Sequence, residues 1–150
     1  MKTLCAVLLF AMPAFAADLK ADLMKEMERW VADFNSHQAA AVASHYADDV
    51  EFVYPFEGQE GKTKKGLEGF YTQSFKFTPD IAVKLISYDV VKVSDTIAFG
   101  YGVFEDSFTG PDGKKITAPT HASEVFVKKG GKWLVRVDHA SFVPPPSAKK

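Results

Sequence analysis

Two residues near the end of the chain, Glu124 and His139, can work as a general acid and base if the fold sets them side by side. A carboxylate and an imidazole each shift the other's pKa toward its charged form. The spacing brings them together under one arrangement. If Gly130-Gly131 is a two-residue hairpin turn, Lys129 lies opposite Lys132 and Phe126 opposite Val135. Glu124 then lies opposite Val137 and Ala122 opposite His139. In that register Phe126, Glu124, Ala122, Val135, Val137 and His139 share a face, with Glu124 and His139 as diagonal neighbours. The other face carries His121, Ser123, Val125 and Val127 with Leu134, Arg136, Asp138 and Ala140. A buried pair that only satisfies itself, or a pair on the solvent face, is the plainer reading of the same pattern, because structural ion pairs also perturb pKa values. A bulge near His121 would turn it inward, and His121, Glu124 and His139 could then ligate a metal. Nothing in the spacing requires this, and no metal or other cofactor is expected.

The preceding strand adds Phe99, Tyr101, Val103 and Glu105 on one face, and from there Tyr101 and Glu105 could reach the same interior. His37 and His45 fall on a helical hairpin and are expected as solvated or capping groups. No nucleophile-base arrangement and no glycine-rich phosphate loop is present. The only cysteine is Cys5, which leaves the rest of the chain without a disulfide, a thiolate zinc site or a cysteine nucleophile. With 18 Lys and Arg against 19 Asp and Glu, the chain lacks the basic excess that phosphate neutralisation needs. Nucleic acid is therefore not an expected partner.

The elements that must position these residues follow from periodicity. Leu19, Leu23, Met27, Trp30, Val31 and Phe34 recur at three- and four-residue steps, predicting an amphipathic helix from an Asp18 cap to Phe34. Ser36 can cap a second helix with Ala39, Val42, Ala43 and Tyr46 on its buried face. Val50–Tyr54 reads as a short strand, residues 58–61 as a loop, and Gly66–Phe75 as a third helix. After Pro79 the period becomes two. Strands are predicted over Ile81–Val93, Thr96–Phe108, Lys115–Lys128 and Lys132–Phe142, with turn residues between them. Helices followed by a meander predict an α+β fold, a cone-shaped barrel of a curved antiparallel sheet packed on the N-terminal helices. A cone of that kind leaves a pocket at its mouth.

The first residues predict a compartment. Lys2, the apolar run Leu4–Met12 and Ala14-Phe15-Ala16 form a cleavable signal over 1–16, too short to span a bilayer. Residues 17–143 then form one domain, and 144–150, with Pro144-Pro145-Pro146, a disordered tail. The expected location is periplasmic or secreted, with no membrane association after cleavage.

Several short segments occur in a telling order: Trp30-Val31-Ala32-Asp33-Phe34-Asn35, Tyr46-Ala47-Asp48-Asp49-Val50, Tyr54-Pro55, Gly131-Lys132-Trp133-Leu134-Val135 and Asp138-His139-Ala140-Ser141. Together they resemble the nuclear transport factor 2-like superfamily, nearest its SnoaL-like and ketosteroid-isomerase-related group. They are also similar to the association domain of calcium/calmodulin-dependent kinase. The resemblance spans nearly all of residues 17–143 and implies a cone-shaped α+β barrel, often a homodimer through the sheet. In the ketosteroid isomerases a helix Tyr, a strand Asp before Pro, and an Asp after Ala-Pro do the chemistry. Trp30, Tyr54 before Pro55, and His121 after Ala118-Pro119 stand at those positions here, and all three depart. Steroid isomerase activity is accordingly not expected. The resemblance and the residues together predict a small apolar or amphipathic ligand held by Trp30, Tyr54, Phe70, Tyr101, Val103, Phe126 and Val137. The alternative is a small isomerase, cyclase or hydratase using His139 or His121 as base and Glu124 or Tyr54 as partner.

Overall fold

The computed structural model describes residues 14–53, 60–61 and 63–142. Helix α1 runs Ala14–Asn35 and buries Leu19, Leu23, Met27 and Phe34, the stripe that the three- and four-residue spacing predicts. It begins ahead of Asp18, because Ala14, Ala16 and Ala17 favour helix and nothing there stops it. Its C-terminus is fixed twice. His37 takes the left-handed conformation at φ 56° and donates from Nε2 to the Ile81 carbonyl at 2.7 Å. The Asn35 amide then pairs with both backbone groups of Val83, at 2.9 and 2.8 Å, like an added strand residue.

Helix α2, Ala39–Ala43, is short, and Gln38 rather than Ser36 precedes it; the Ser36 hydroxyl donates back to the Asp33 carbonyl. Tyr46, expected on the face of this helix, instead opens strand β1, Tyr46–Val53. Pairing with the last strand takes the chain over there, and the Val135 amide donates to the His45 carbonyl at 3.0 Å. Strand β2, Glu60–Gly61, lies in the expected loop and pairs with Phe52 and Val53. Helix α3, Lys64–Phe77, starts at a Thr63 cap whose hydroxyl accepts from the Gly66 amide at 3.0 Å, and it buries Leu67, Tyr71 and Phe75.

Strands β3 (Ala82–Lys92), β4 (Ile97–Thr109), β5 (Lys115–Lys129) and β6 (Lys132–Phe142) form the predicted meander. The sheet order is β2-β1-β6-β5-β4-β3, curved and unclosed. All neighbours are antiparallel except β1 and β6, which run parallel, so the sheet is mixed at that join. The core lies between the helices and one sheet face, where Leu23, Met27 and Leu67 meet Phe104, Phe126 and Val135. Each fully buried side chain of this kind contributes about 1.5–3 kcal/mol.

Candidate functional site

The hairpin that was to unite Glu124 and His139 begins as predicted. Gly130 and Gly131 have φ 57° and 80°, the two positive values of a type I′ turn, with Lys129 opposite Lys132 and Phe126 opposite Val135. One residue further the register shifts, since Val125 pairs with Val137 and leaves Arg136 as the extra residue of a bulge. A one-residue shift turns every later side chain to the other face. Glu124 therefore stands opposite Asp138, and His139 stands opposite Ser123 on the outer face, exposed. The expected Glu124–His139 pair does not form. A Glu124–Asp138 pair replaces it.

This pair lines a cavity of about 390 Å³ between the helices and the sheet. Its walls are mainly apolar and rich in aromatic rings: Trp30 and Phe34 from α1, Phe70 and Tyr71 from α3, Phe104 and Phe108 from β4. Each carboxyl is held by a tyrosine. Tyr46 Oη donates to Asp138 Oδ2 at 2.8 Å and itself accepts from Trp30 Nε1 at 3.1 Å, with Tyr71 Oη at 3.2 Å. Tyr88 Oη donates to Glu124 Oε2 at 2.7 Å. A second polar point lies on the same wall, where Thr120 Oγ1 donates to Asp106 Oδ2 at 2.6 Å.

Burial governs the electrostatics. Glu124, Asp138 and Asp106 are 5, 7 and 8 % exposed. Desolvation pushes Asp138 up to about 6 against the opposing hydrogen bond from Tyr46. Desolvation, and then the charge of Asp138, push Glu124 well above the ordinary glutamate value, while the Tyr88 hydrogen bond opposes them. Asp106 is also raised by burial, partly offset by Thr120. Two such close carboxyls resist ionising together. Tyr46 and Tyr88 are raised by burial and by these carboxylates, which keeps them as hydrogen-bond donors.

Glycines in β4 make the second of these contacts possible. A Cβ on Gly100 would lie 2.0 Å from Tyr88 Oη and 2.8 Å from a Phe126 ring atom, and one on Gly102 would lie 2.3 Å from the Ser87 carbonyl. The Tyr88 ring thus crosses β4 over two residues without side chains and reaches Glu124 on β5.

The other sequence-predicted residues divide by face. Trp30 and Phe70 line the cavity, and Phe126 is fully buried in the core beneath it. Tyr101 and Val103 do not reach the cavity: β4 turns Gly100, Gly102, Phe104 and Asp106 inward, so Phe99, Tyr101, Val103 and Glu105 share the outer face. His121 is exposed, with continuous β4–β5 pairing and no bulge beside it. Tyr101, Val103 and His121 line a separate depression with Lys20 and Asp89. Val137 points outward beside Val125 as a consequence of the bulge. Tyr54 lies outside the described residues. The imagined His121–Glu124–His139 metal set is divided between two faces. Among the described residues no group of three or more His, Cys, Asp and Glu side chains is placed to hold a metal.

Sequence reasoning missed Asp138, Tyr46, Tyr88, Asp106 and Thr120. Tyr88 had a signal, the Gly100-x-Gly102 step that makes room for a neighbour's ring; Asp138 had none, because bulge placement is not written in the alternation. His45, expected as a solvated or capping group, is 6 % exposed. Its Nδ1 lies 2.6 Å from Glu26 Oε1 and its Nε2 2.7 Å from Asp33 Oδ2. Both ring nitrogens face carboxylates, so the geometry suits the imidazolium form. Burial lowers its pKa, but the hydrogen bonds to Glu26 and Asp33 outweigh that and raise it.

The SnoaL-like domain family matches residues 27–136. Among solved structures, the chain is similar to a ketosteroid isomerase-like protein from Erwinia carotovora atroseptica, at 23 % identity and TM-score 0.69, covering 83 % of this chain and 96 % of that one. A nuclear transport factor 2-like protein of unknown function from Pseudomonas putida matches at 17 % identity and TM-score 0.70, covering 83 and 87 %. A scytalone dehydratase-like protein from Novosphingobium aromaticivorans matches at 12 % identity and TM-score 0.76, covering 85 % of each chain. At these identities the likeness shows the fold. No curated protein matches the sequence.

Proposed function

The chain belongs to the SnoaL-like domain family, and from that premise we propose that its cavity binds a small, mainly apolar ring compound through one polar end. The supporting observation is a cavity of about 390 Å³ whose walls are mainly apolar and rich in aromatic rings while Glu124 and Asp138 converge on one place in it. Enclosed apolar pockets with a few converging polar groups are where small molecules bind. A thermal-shift screen of ring compounds tests the reading, because a ligand selective for the folded state raises its apparent stability. Ala122 lines the cavity, so Ala122→Leu fills part of it. Saturable stabilisation that is lost in Ala122→Leu is the expected result. Ligands that bind this variant as tightly as the parent would remove the cavity from the account.

A second reading, proton transfer on the bound compound, is favoured by one specific feature: two paired carboxyls with raised pKa values, one able to accept a proton while the other donates. The groups available for it are Asp138 and Glu124 with Tyr46 and Tyr88, and not His139 or His121, which lie on the outer face. Solvent deuterium entering an enolisable cavity ligand, and failing to enter with Asp138→Asn, would support it; exchange that survives the substitution would end it.

Two further proposals concern the whole chain. Export rests on the Lys2, Leu4–Met12 and Ala14-Phe15-Ala16 pattern. Self-association through the outer sheet face rests on Ile97, Phe99 and Tyr101, which are 38, 37 and 44 % exposed on one strand.

A further inference from the structure

The described walls of the cavity carry acids and no bases. Glu124, Asp138 and Asp106 line it, while among the described residues no Lys, Arg or His does. Each carboxyl has one oxygen occupied by a hydroxyl donor, namely Tyr88, Tyr46 and Thr120 respectively. The second oxygen of each accepts no hydrogen bond from the described residues, yet none is among the sealed, unpartnered atoms, where Arg136 Nη1 stands alone. These three free oxygens therefore open into the cavity from side chains more than nine-tenths buried. Among the described residues nothing supplies the site with a cation.

Aromatic faces stand beside the carboxyl pair. Trp30 touches it through Tyr46, and Phe104 lies edge-on to Trp30 at 5.7 Å and to Tyr88 at 6.3 Å. Rings around an ammonium attract it through their quadrupoles, most strongly where water is excluded. We propose that the ligand of this cavity is a lipophilic primary amine, its ammonium group on the free oxygens of Glu124 and Asp138 and its apolar body between the aromatic walls. This rests on the reading of the cavity as a ligand site given above and adds the charge of the ligand to it. A bound ammonium supplies the missing positive charge and lets both carboxyls ionise, so binding is accompanied by proton release. An alcohol of the same skeleton offers a donor without the charge, and a carboxylic acid adds a like charge that the site opposes.

The test uses 4-phenylbutylamine, 4-phenylbutan-1-ol and 4-phenylbutanoate, titrated calorimetrically into the protein at pH 7.5. The amine is expected to bind about tenfold or more tightly than the alcohol, with the acid weakest, since each tenfold step needs only about 1.4 kcal/mol of charge complementarity. In Glu124→Gln/Asp138→Asn the amine-to-alcohol ratio is expected to fall close to one. A second measurement needs no variant. Between pH 7.5 and 5 the amine stays charged while the pair takes up protons, so its affinity should fall by at least about tenfold in the parent protein. Among the described residues, the other groups facing the pair are Trp30 on α1, Tyr71 on α3, Tyr46 on β1 and Tyr88 on β3, the last two raised by burial further from that range, and Asp106 on β4, which acts in the same direction. Alcohol binding as tight as amine binding overturns the amine assignment and leaves the cavity reading standing. Failure of all three probes to bind overturns both. An amine preference that persists in the double variant, or does not weaken at pH 5, places the cation elsewhere and overturns the assignment.

Discussion

Asp138 is a carboxyl with no cation beside it among the described residues, a hydroxyl on one oxygen and a second acid across the strand. Its pKa is raised from 3.8 to about 6, so the folded state binds its proton more tightly than the unfolded state does. By linkage, this group lowers stability as pH rises from the unfolded value through the folded one, and the full cost is present at pH 7. Asp138→Asn keeps an acceptor for Tyr46 and removes the charge. It is expected to stabilise the protein by on the order of 2 kcal/mol at pH 7 and by little at pH 4. Urea unfolding at the two pH values measures this, and an equal effect at both would contradict it. His45 works in the opposite sense. Its raised pKa means that its stabilising contribution is complete below about 6.5, the unfolded value, and is lost as pH rises through the folded one. The stability deficit of His45→Gln should therefore be largest at pH 6 and shrink by pH 9, whereas a merely steric role would give a constant deficit. The lowered pKa of Glu26, set first by its hydrogen bond to His45, agrees with this sign.

At the scale of elements, the β4 glycines and the β6 bulge decide which side chains meet. Gly100→Ala would put a methyl group within 2.0 Å of Tyr88 Oη, so the ring must leave Glu124 or the strands must part. A loss of about 1–3 kcal/mol is expected. It should come with a change in Tyr88 fluorescence or ring NMR shifts, and a fully stable Gly100→Ala with unmoved Tyr88 signals would refute the crossing geometry. The meander itself was legible: the period-two runs and the Gly130-Gly131 turn give β3 to β6 within a residue or two, and Phe126 opposite Val135. The site was not, for a local reason. Alternation reads faces correctly only while the ladder is regular, and one extra residue, Arg136, exchanges His139 for Asp138. Arg136 has a visible use, since its Nε pairs with Asp49 Oδ2 on β1 at 3.1 Å, but that partner is remote in sequence. Tyr46 was misread for a similar reason, its spacing from Val42 suiting a helix that the parallel pairing with β6 cuts short.

On the scale of the molecule, helices α1 and α3 close a curved sheet over a space that packing has not filled. The inner face gathers the acids and the outer face carries His121, His139 and an apolar strip, so the two histidines belong to the surface and the carboxyls to the interior. The fold follows from the sequence pattern and the family; the chemistry of the cavity follows from one bulge and two glycines. The most direct test is a carbon-13 NMR titration of the Glu124 and Asp138 side-chain carboxyls, repeated with a saturating cavity ligand. Asp138 is expected to titrate near 6, Glu124 well above the ordinary glutamate range, and both to change when the cavity is occupied. Two independent titrations at ordinary carboxylate values, indifferent to any ligand, would show that these acids meet solvent and would remove the site.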